Sequence, residues 1–354
     1  MKLWLRLHGY EFCSWTVVWS NLVETFTDMG HEVCGVQDPD NPSEYIELWW
    51  GDPQFWKWSS SPTKLRVAMC LSEARSILAS CKVATLENLK DSDLIICPSE
   101  SATLAFKESP LDMPIVVAPF GVNPKEFKYV KRDWSGTLRF YHGGVTQYRK
   151  GSWLVPEAFT RAFRESDDVS LTITSPKVSP MFMDLQMEYE NHPQIAFISD
   201  ISESAMDYYK THHVYVSPHL SEGFGLMIPE AMSTGMPCLV SRCSAPREWF
   251  SKDYGAWIEM SETYGPIDAC LPDTPGFWRV PDVESLIDGM LDAYEHRKEW
   301  EEKGKKASNF IHQNMTWEHT CEDIIEKIEE VLDAKNIGSY ASVQRREANI
   351  VSIG

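Results

Sequence analysis

Short, continuously apolar runs alternate with amphipathic stretches along almost the whole chain, and no other feature restricts its fold as strongly. KLWLRLHG (2–9), WTVVWSNLVETFTDMG (15–30) and HEVCGV (31–36) read β-α-β. Val17, Val18, Leu22, Val23 and Phe26 keep helical spacing, and Gly30 closes the helix. Further strand candidates follow at IELWW (46–50), LRVAMCL (65–71), DLIICPS (93–99) and PIVVAP (114–119). A second series begins with LRFYHGG (138–144) and continues through VSLTITS, QIAFIS, VYVSP, PCLVSR and GAWIEM. Runs that are apolar throughout suit parallel strands covered on both faces, and parallel strands need helical crossovers. Between the two series lies PFGVNPKEFKYVKRDWSGT (119–137), rich in Pro, Gly and charge. The expectation is two doubly wound α/β domains, 1–130 and 131–316, followed by a helix and tail over 317–354.

With 354 residues and 43% hydrophobic content the chain has the size and composition of two ordinary globular domains. The start, MKLWLRLHGYEFC, reads as a first strand rather than a signal peptide, because its apolar run ends within five residues. No stretch approaches the 18 uninterrupted apolar residues of a transmembrane helix. Nine cysteines are scattered without a CxxC pair, which fits a reduced, cytoplasmic protein without a zinc site. A net charge of −19 opposes binding to nucleic acid or anionic lipid. Much of it sits on EHRKEWEEKGKK (295–306) and CEDIIEKIEEVLDAK (321–335), which read as solvated helix faces.

Ligands of doubly wound sheets bind outside the carboxyl ends of the strands. HGGVTQYRKG (142–151), Ser175-Pro176 and SPHLSEGFG (217–225) lie at such ends. Gly143 and Gly144 permit close backbone approach, and Arg149 with Lys150 supplies adjacent cations suited to a diphosphate. By themselves those two cations read first as a solvated helix start, and only with the 221–237 segment as a diphosphate site. In SEGFGLMIPEAMSTGMP (221–237), Glu222 and Glu230 frame a Gly-Phe-Gly turn before a short helix. Carboxylates accept from hydroxyls, while helix-start amides donate to anions, so the segment suits a polyol and a phosphate together.

SEGFGLMIPEAMSTGMP resembles the donor-site signature of retaining GT-B-fold glycosyltransferases of family 4 (glycosyl transferases group 1), where two glutamates with seven residues between them flank a GFG turn. The resemblance continues in PFGVNPKEF (119–127), GGVTQYRKGSWLVPEAF (143–159), DSDLIICPSE (91–100), and WRVPD (278–282) with Trp317. It implies two Rossmann-like domains facing a cleft, with C-terminal helices that pack back on the first domain. It also implies transfer of a hexose or pentose from a UDP- or GDP-sugar to an acceptor hydroxyl, with no metal and no further cofactor. Glu230 would hold the ribose, and Glu222 would face the transferred sugar. Arg149 and Lys150 would take the diphosphate. Gly143, Gly144, Ser175, Gly223, Phe224, Gly225 and Leu226 would complete the donor site.

The chain departs from that pattern in two places. The first-domain glycine loop is LHGYEFCSW, with Gly9 alone, and CLSEARS (70–76) stands where many members carry a histidine. Glu73 is therefore the candidate catalytic contact there, with helix capping as its alternative role. WWGDPQFWKWSSSP (49–62) packs four tryptophans into ten residues. Trp56, Trp58 and Asp52 are read, with Gly9, as an acceptor wall, or else as a contact between domains or copies. DPD (38–40) and DSD (91–93) read as turn and strand-start residues rather than a metal triplet. His212 and His213 read as a helix cap. The acceptor stays open among glycan, protein, small molecule and hydroxymethylated DNA base, with DNA disfavoured by charge. A nucleotide-sugar-binding protein without transfer activity, a phosphorylase and an epimerase are the alternative functions.

Overall fold

The structure, a computed structural model, describes residues 1–7, 14–35, 37–73, 83–199, 205–266 and 277–337. It divides into two units, Met1–Gly121 with Trp317–Gly354, and Val122–Thr316. The first holds six parallel strands: β1 (Lys2–Leu7), β2 (Glu32–Cys34), β3 (Ile46–Trp50), β4 (Leu65–Met69), β5 (Leu94–Cys97) and β6 (Ile115–Val117). Their order in the sheet is β2-β1-β3-β4-β5-β6. Leu48 pairs with Leu5 on one side and Val67 on the other, and all three side chains are buried. Helices α1 (Ser14–Asp28), α2 (Val83–Lys90) and α3 (Glu100–Lys107) flank the sheet. Val18, Leu22 and Phe26 give α1 one buried stripe, and Gly30 ends it at φ +84. Ser99 caps α3 by accepting from the Ala102 N–H at 3.0 Å.

The second unit repeats the plan with β7 (Leu138–Gly143), β8 (Val169–Ser175), β9 (Ile195–Ser199), β10 (Val214–Ser217), β11 (Cys238–Ser241) and β12 (Gly255–Ile258). The order β12-β11-β10-β7-β8-β9 reverses between β7 and β10. Helices α4 (Leu154–Ala162), α5 (Pro180–Tyr189), α6 (Ala205–Thr211) and α7 (Met227–Ser233) connect these strands. An antiparallel pair, β13 (Met260–Pro266) and β14 (Phe277–Pro281), comes next, then α8 (Val283–Glu295) and α9 (Arg297–Asn314). The core gathers Phe140, Leu171, Val216 and Leu239 from the sheet with Phe159, Leu286 and Trp300 from the helices. Each such side chain contributes about 1.5–3 kcal/mol on burial.

Residues 122–130, read from sequence as the end of the first domain, are tied to the second unit. The Val122 N–H donates to Met315 O (2.9 Å), the Ser233 hydroxyl to Phe127 O (2.6 Å) and the Val130 N–H to Thr234 O (2.9 Å). Arg132 adds donors to Tyr209 O, His212 O and Thr234 O, the carbonyls at the ends of α6 and α7. Burial lowers its guanidinium to about 10. His212 donates from Nδ1 to Tyr208 O at 2.9 Å and so caps α6 as expected. His213 bridges strand and linker instead, accepting from the Arg139 N–H (3.1 Å) and donating to Asp133 O (2.9 Å).

The last helix, α10 (Trp317–Ile337), returns to the first unit, where it packs on α1. It buries Cys321, Ile324, Ile328 and Val331 at helical spacing. Trp317 meets Phe120 with ring centres 5.8 Å apart. In DSD, Asp93 accepts from the Arg66 N–H (2.8 Å) and pairs with Lys335 (2.6 Å), which joins strand to helix. Among the described residues no helix is long and apolar enough to cross a membrane.

Candidate functional site

The reversal of strand order places two loops side by side in the second unit, one after β7 and one after β10. Such a switch point is where open α/β sheets bind ligands. The first loop holds Gly143, Gly144 and a single 3-10 turn, Tyr148–Lys150, that ends at Gly151 with φ +64. A Cβ at Gly151 would stand 1.8 Å from Pro218 O, so only glycine fits the approach of the two loops. The Leu220 N–H donates to Arg149 O at 2.8 Å and keeps them in register. His142 also spans them, its Nδ1 donating to Val216 O (2.8 Å) and its Nε2 accepting from the Ser152 hydroxyl (2.9 Å). Burial brings His142 down to about 4, which keeps the ring neutral.

The close approach brings three of the expected residues together. Arg149 Nη1 lies 2.9 Å from Ser221 O and 3.2 Å from Glu222 Oε2, while Lys150 Nζ pairs with Glu222 Oε1. Burial alone would raise the Glu222 carboxyl, but the Lys150 and Arg149 charges outweigh it and hold it at about 2. Both cations face the Glu222 carboxylate, and Arg149 and Lys150 retain 14% and 25% exposure. Gly225, at φ +85, turns the chain from Glu222 into α7. Leu226 is the residue before that helix, and Gly223 and Phe224 are buried, the latter ring 5.8 Å from Trp249.

Glu230, on α7, sits in a different environment. Burial lifts its carboxyl to about 8; the Tyr209 hydroxyl, donating to Oε2 at 3.1 Å, opposes that rise, and the Glu126 charge adds to it. Tyr209 therefore belongs to the site, although nothing in the spacing of sequence motifs marks it. Beneath lie Tyr141, Tyr208 and Tyr215, with the Tyr215 hydroxyl on Gly143 O at 3.3 Å. Ser175 departs from its expected role. It is fully buried, its hydroxyl accepts from the Thr146 N–H (3.1 Å) and donates to Lys177 O (2.6 Å), so it ties loops together instead of facing a ligand.

In the first unit the strand order reverses between β1 and β3, and the loop after β3 carries Asp52, Trp56 and Trp58. Gly9 lies outside the described residues. Trp56 corrects the stacking-wall expectation: it is 1% exposed and packs with Trp49, Leu89 and Phe106 in the core. Trp58 is half-buried and donates to Asn88 O at 2.7 Å, and the exposed ring of the loop is Phe55 at 53%. Asp52 caps the turn Pro53–Phe55 by accepting from the Gln54 N–H at 3.0 Å. Glu73 is half-buried beyond the end of β4. A further group at this end is Arg6, stacked between Trp4 (4.5 Å) and Trp49 (4.3 Å) and paired with the fully buried Glu47 (2.5 Å). Among the described residues no cluster of three His, Cys, Asp or Glu side chains is arranged to hold a metal ion.

Residues 138–263, which contain the Arg149–Lys150–Glu222 centre and Glu230, match the family described as Glycosyl transferases group 1. The chain is a glycosyltransferase. No curated protein sequence matches it. The glycosyltransferase is similar in structure to the sucrose-phosphate synthase (tll1590) of Thermosynechococcus elongatus, with TM-score 0.68 and 14% identity over 94% of this chain and 99% of that one. It is also similar to Anabaena Alr3699/HepE, solved with UDP and glucose (TM-score 0.69, 12% identity, 93% and 100% covered). A glycosyltransferase from Rickettsia africae ESF-5 is a third (TM-score 0.67, 12% identity, 93% and 98% covered). At such identities the likeness is one of fold, and that fold is GT-B.

Proposed function

We propose that the glycosyltransferase moves a hexosyl or pentosyl group from a nucleoside diphosphate sugar to an acceptor hydroxyl with retained configuration. The observation that carries this reading is the meeting of Arg149, Lys150 and Glu222 at the β7/β10 switch point, next to Glu230 on α7. Arg149 and Lys150 take the diphosphate, the guanidinium across two oxygens and the ammonium as a point charge. Glu230 accepts from the ribose hydroxyls. Glu222, held ionised, accepts from hydroxyls of the transferred sugar and offsets charge that develops at its anomeric carbon.

In the transfer step the anomeric carbon–phosphate oxygen bond breaks and a bond to the acceptor oxygen forms on the same face. The acceptor proton goes to the leaving phosphate oxygen. Catalysis then rests on positioning and charge stabilisation, with Arg149 and Lys150 in the place a divalent ion takes elsewhere. Anabaena HepE, similar in fold, binds UDP and glucose, which supports a nucleotide-sugar donor. The acceptor is assigned to the first unit, around the loop of Asp52, Phe55 and Trp58 with Glu73 beyond β4. The scattered thiols suit a reducing compartment such as the cytoplasm.

The test is a titration of UDP- and GDP-sugars against the wild type and Glu230→Ala. A folded Glu230→Ala protein should bind its donor about 10- to 100-fold more weakly, as expected for the loss of two hydrogen bonds to the ribose hydroxyls. Equal affinity removes Glu230 from the site. Activity that chelation with EDTA abolishes and manganese restores overturns the metal-independent mechanism. Binding with neither transfer nor hydrolysis identifies a nucleotide-sugar-binding protein instead.

A further inference from the structure

Ser244, in the loop after β11, has φ +48 and ψ −149, and among the described residues it is the one non-glycine with positive φ. A Cβ crowds the backbone in that region, and such strain persists where the surroundings over-determine it. At Ser244 the surroundings are Glu222. The Glu222 N–H donates to Ser244 Oγ at 2.8 Å, and the Ala245 N–H donates back to Glu222 O at 3.3 Å. Both backbone polar groups of the acid thus end on the 243–245 loop, one on the Ser244 hydroxyl and the other on the Ala245 N–H. The Ser244 hydroxyl in turn donates to Cys243 Sγ (3.8 Å), and the thiol faces His219 O and Leu220 O, each at 3.4 Å. Burial lifts the Cys243 thiol to about 12, so it keeps its proton. The chain of donors starts at Glu222 and closes on the same loop, two and three residues earlier.

We infer that Ser244 is a positioning residue for Glu222, its hydroxyl fixing the peptide from which that carboxylate reaches Arg149 and Lys150. Glycine would hold the same backbone without strain, but it has no oxygen to offer Glu222. The strained serine is therefore accounted for by what its hydroxyl holds. The consequence for the reaction rests on the proposed reading of Glu222 as the group facing the transferred sugar.

Ser244→Gly and Ser244→Ala separate the two effects. Both remove the hydroxyl, and only the glycine relaxes the backbone, so a loss common to both belongs to the missing hydrogen bond. Hydrogen exchange of the segment 218–226 is measured by mass spectrometry, and UDP-glucose and UDP are titrated calorimetrically against both variants and Glu222→Gln. Faster exchange is expected in both serine variants. So is a roughly tenfold fall in affinity for UDP-glucose relative to UDP, the size of one net hydrogen bond. Exchange in Ser244→Gly that matches the wild type overturns the inference even if Ser244→Ala does not fold. So does a relative affinity that moves in Glu222→Gln and stays put in the serine variants. If Glu222→Gln itself leaves the relative affinity unmoved, the placing of Glu222 at the sugar fails, and the exchange rates still decide the clamp.

Discussion

Glu222 and Glu230 belong to one short segment, yet their surroundings drive them apart, one to about 2 and the other to about 8. Glu222 is depressed, so its pairing stabilises the fold above the unfolded value near 4.5, and that stability is lost as pH falls towards 2. Glu230 is raised, so the folded chain keeps a proton that the unfolded chain releases between 4.5 and 8. Stability should therefore fall as pH rises through that window. Glu230→Gln should abolish the fall and be more stable than the wild type at pH 8.5, by about 2 kcal/mol or more at about 1.4 kcal/mol per pH unit. Thermal melts across pH 5–9 check this; parallel curves would mean that Glu230 ionises normally. Glu222→Gln removes one negative charge from beside Arg149 and Lys150, so UDP should bind it several-fold more tightly, by about the 1 kcal/mol of a partly exposed pair. Calorimetry reads the sign. Each member of the centre was legible in the sequence as a type suited to diphosphate or hydroxyl. Their contact was not, because Lys150 and Glu222 are separated by 72 positions and meet only through the packing of two loops.

Loops set the geometry, and at Gly151 a single atom decides it. Gly151→Ala puts a methyl group against Pro218 O at a backbone angle disfavoured for alanine. The change should cost about 1–3 kcal/mol in stability and weaken UDP binding by loosening Arg149 and Lys150. Melting temperature and UDP affinity should fall together, and a fully stable variant would show that the loops do not press there. The tryptophan loop makes an opposite pair of expectations. Trp56→Ala removes a core ring and should destabilise by about 3–5 kcal/mol. Phe55→Ala should leave the melting temperature almost unchanged while raising the acceptor KM. Tryptophan density in 49–58 announces a large apolar area without saying which rings face inward; the sheet and Leu89 decide that for Trp56. The parallel strands were legible because burial on both faces makes them apolar throughout. The β13–β14 pair was not, since Gly265, Pro266 and Pro281 interrupt any run of strand formers.

The units themselves differ in how the chain builds them. The second, Val122–Thr316, is continuous, and residues 122–134 are bound to it through Arg132 and the Phe127 and Val130 peptides. A fragment of residues 122–316 should melt cooperatively and bind UDP within about threefold of the whole protein, since all the proposed donor contacts lie in it. Failure to fold would show that the first unit is needed for more than the acceptor. The first unit is discontinuous: the strands and α1 come from residues up to 121, and α10 arrives only after the whole second unit. During synthesis at about 5–20 residues per second, the side of α1 that receives α10 waits roughly 15–60 s for its cover. Throughout that interval the nascent first unit displays apolar surface however stable the finished molecule becomes. Loss of protein to aggregation during expression should accordingly depend on how fast the ribosome reaches Trp317.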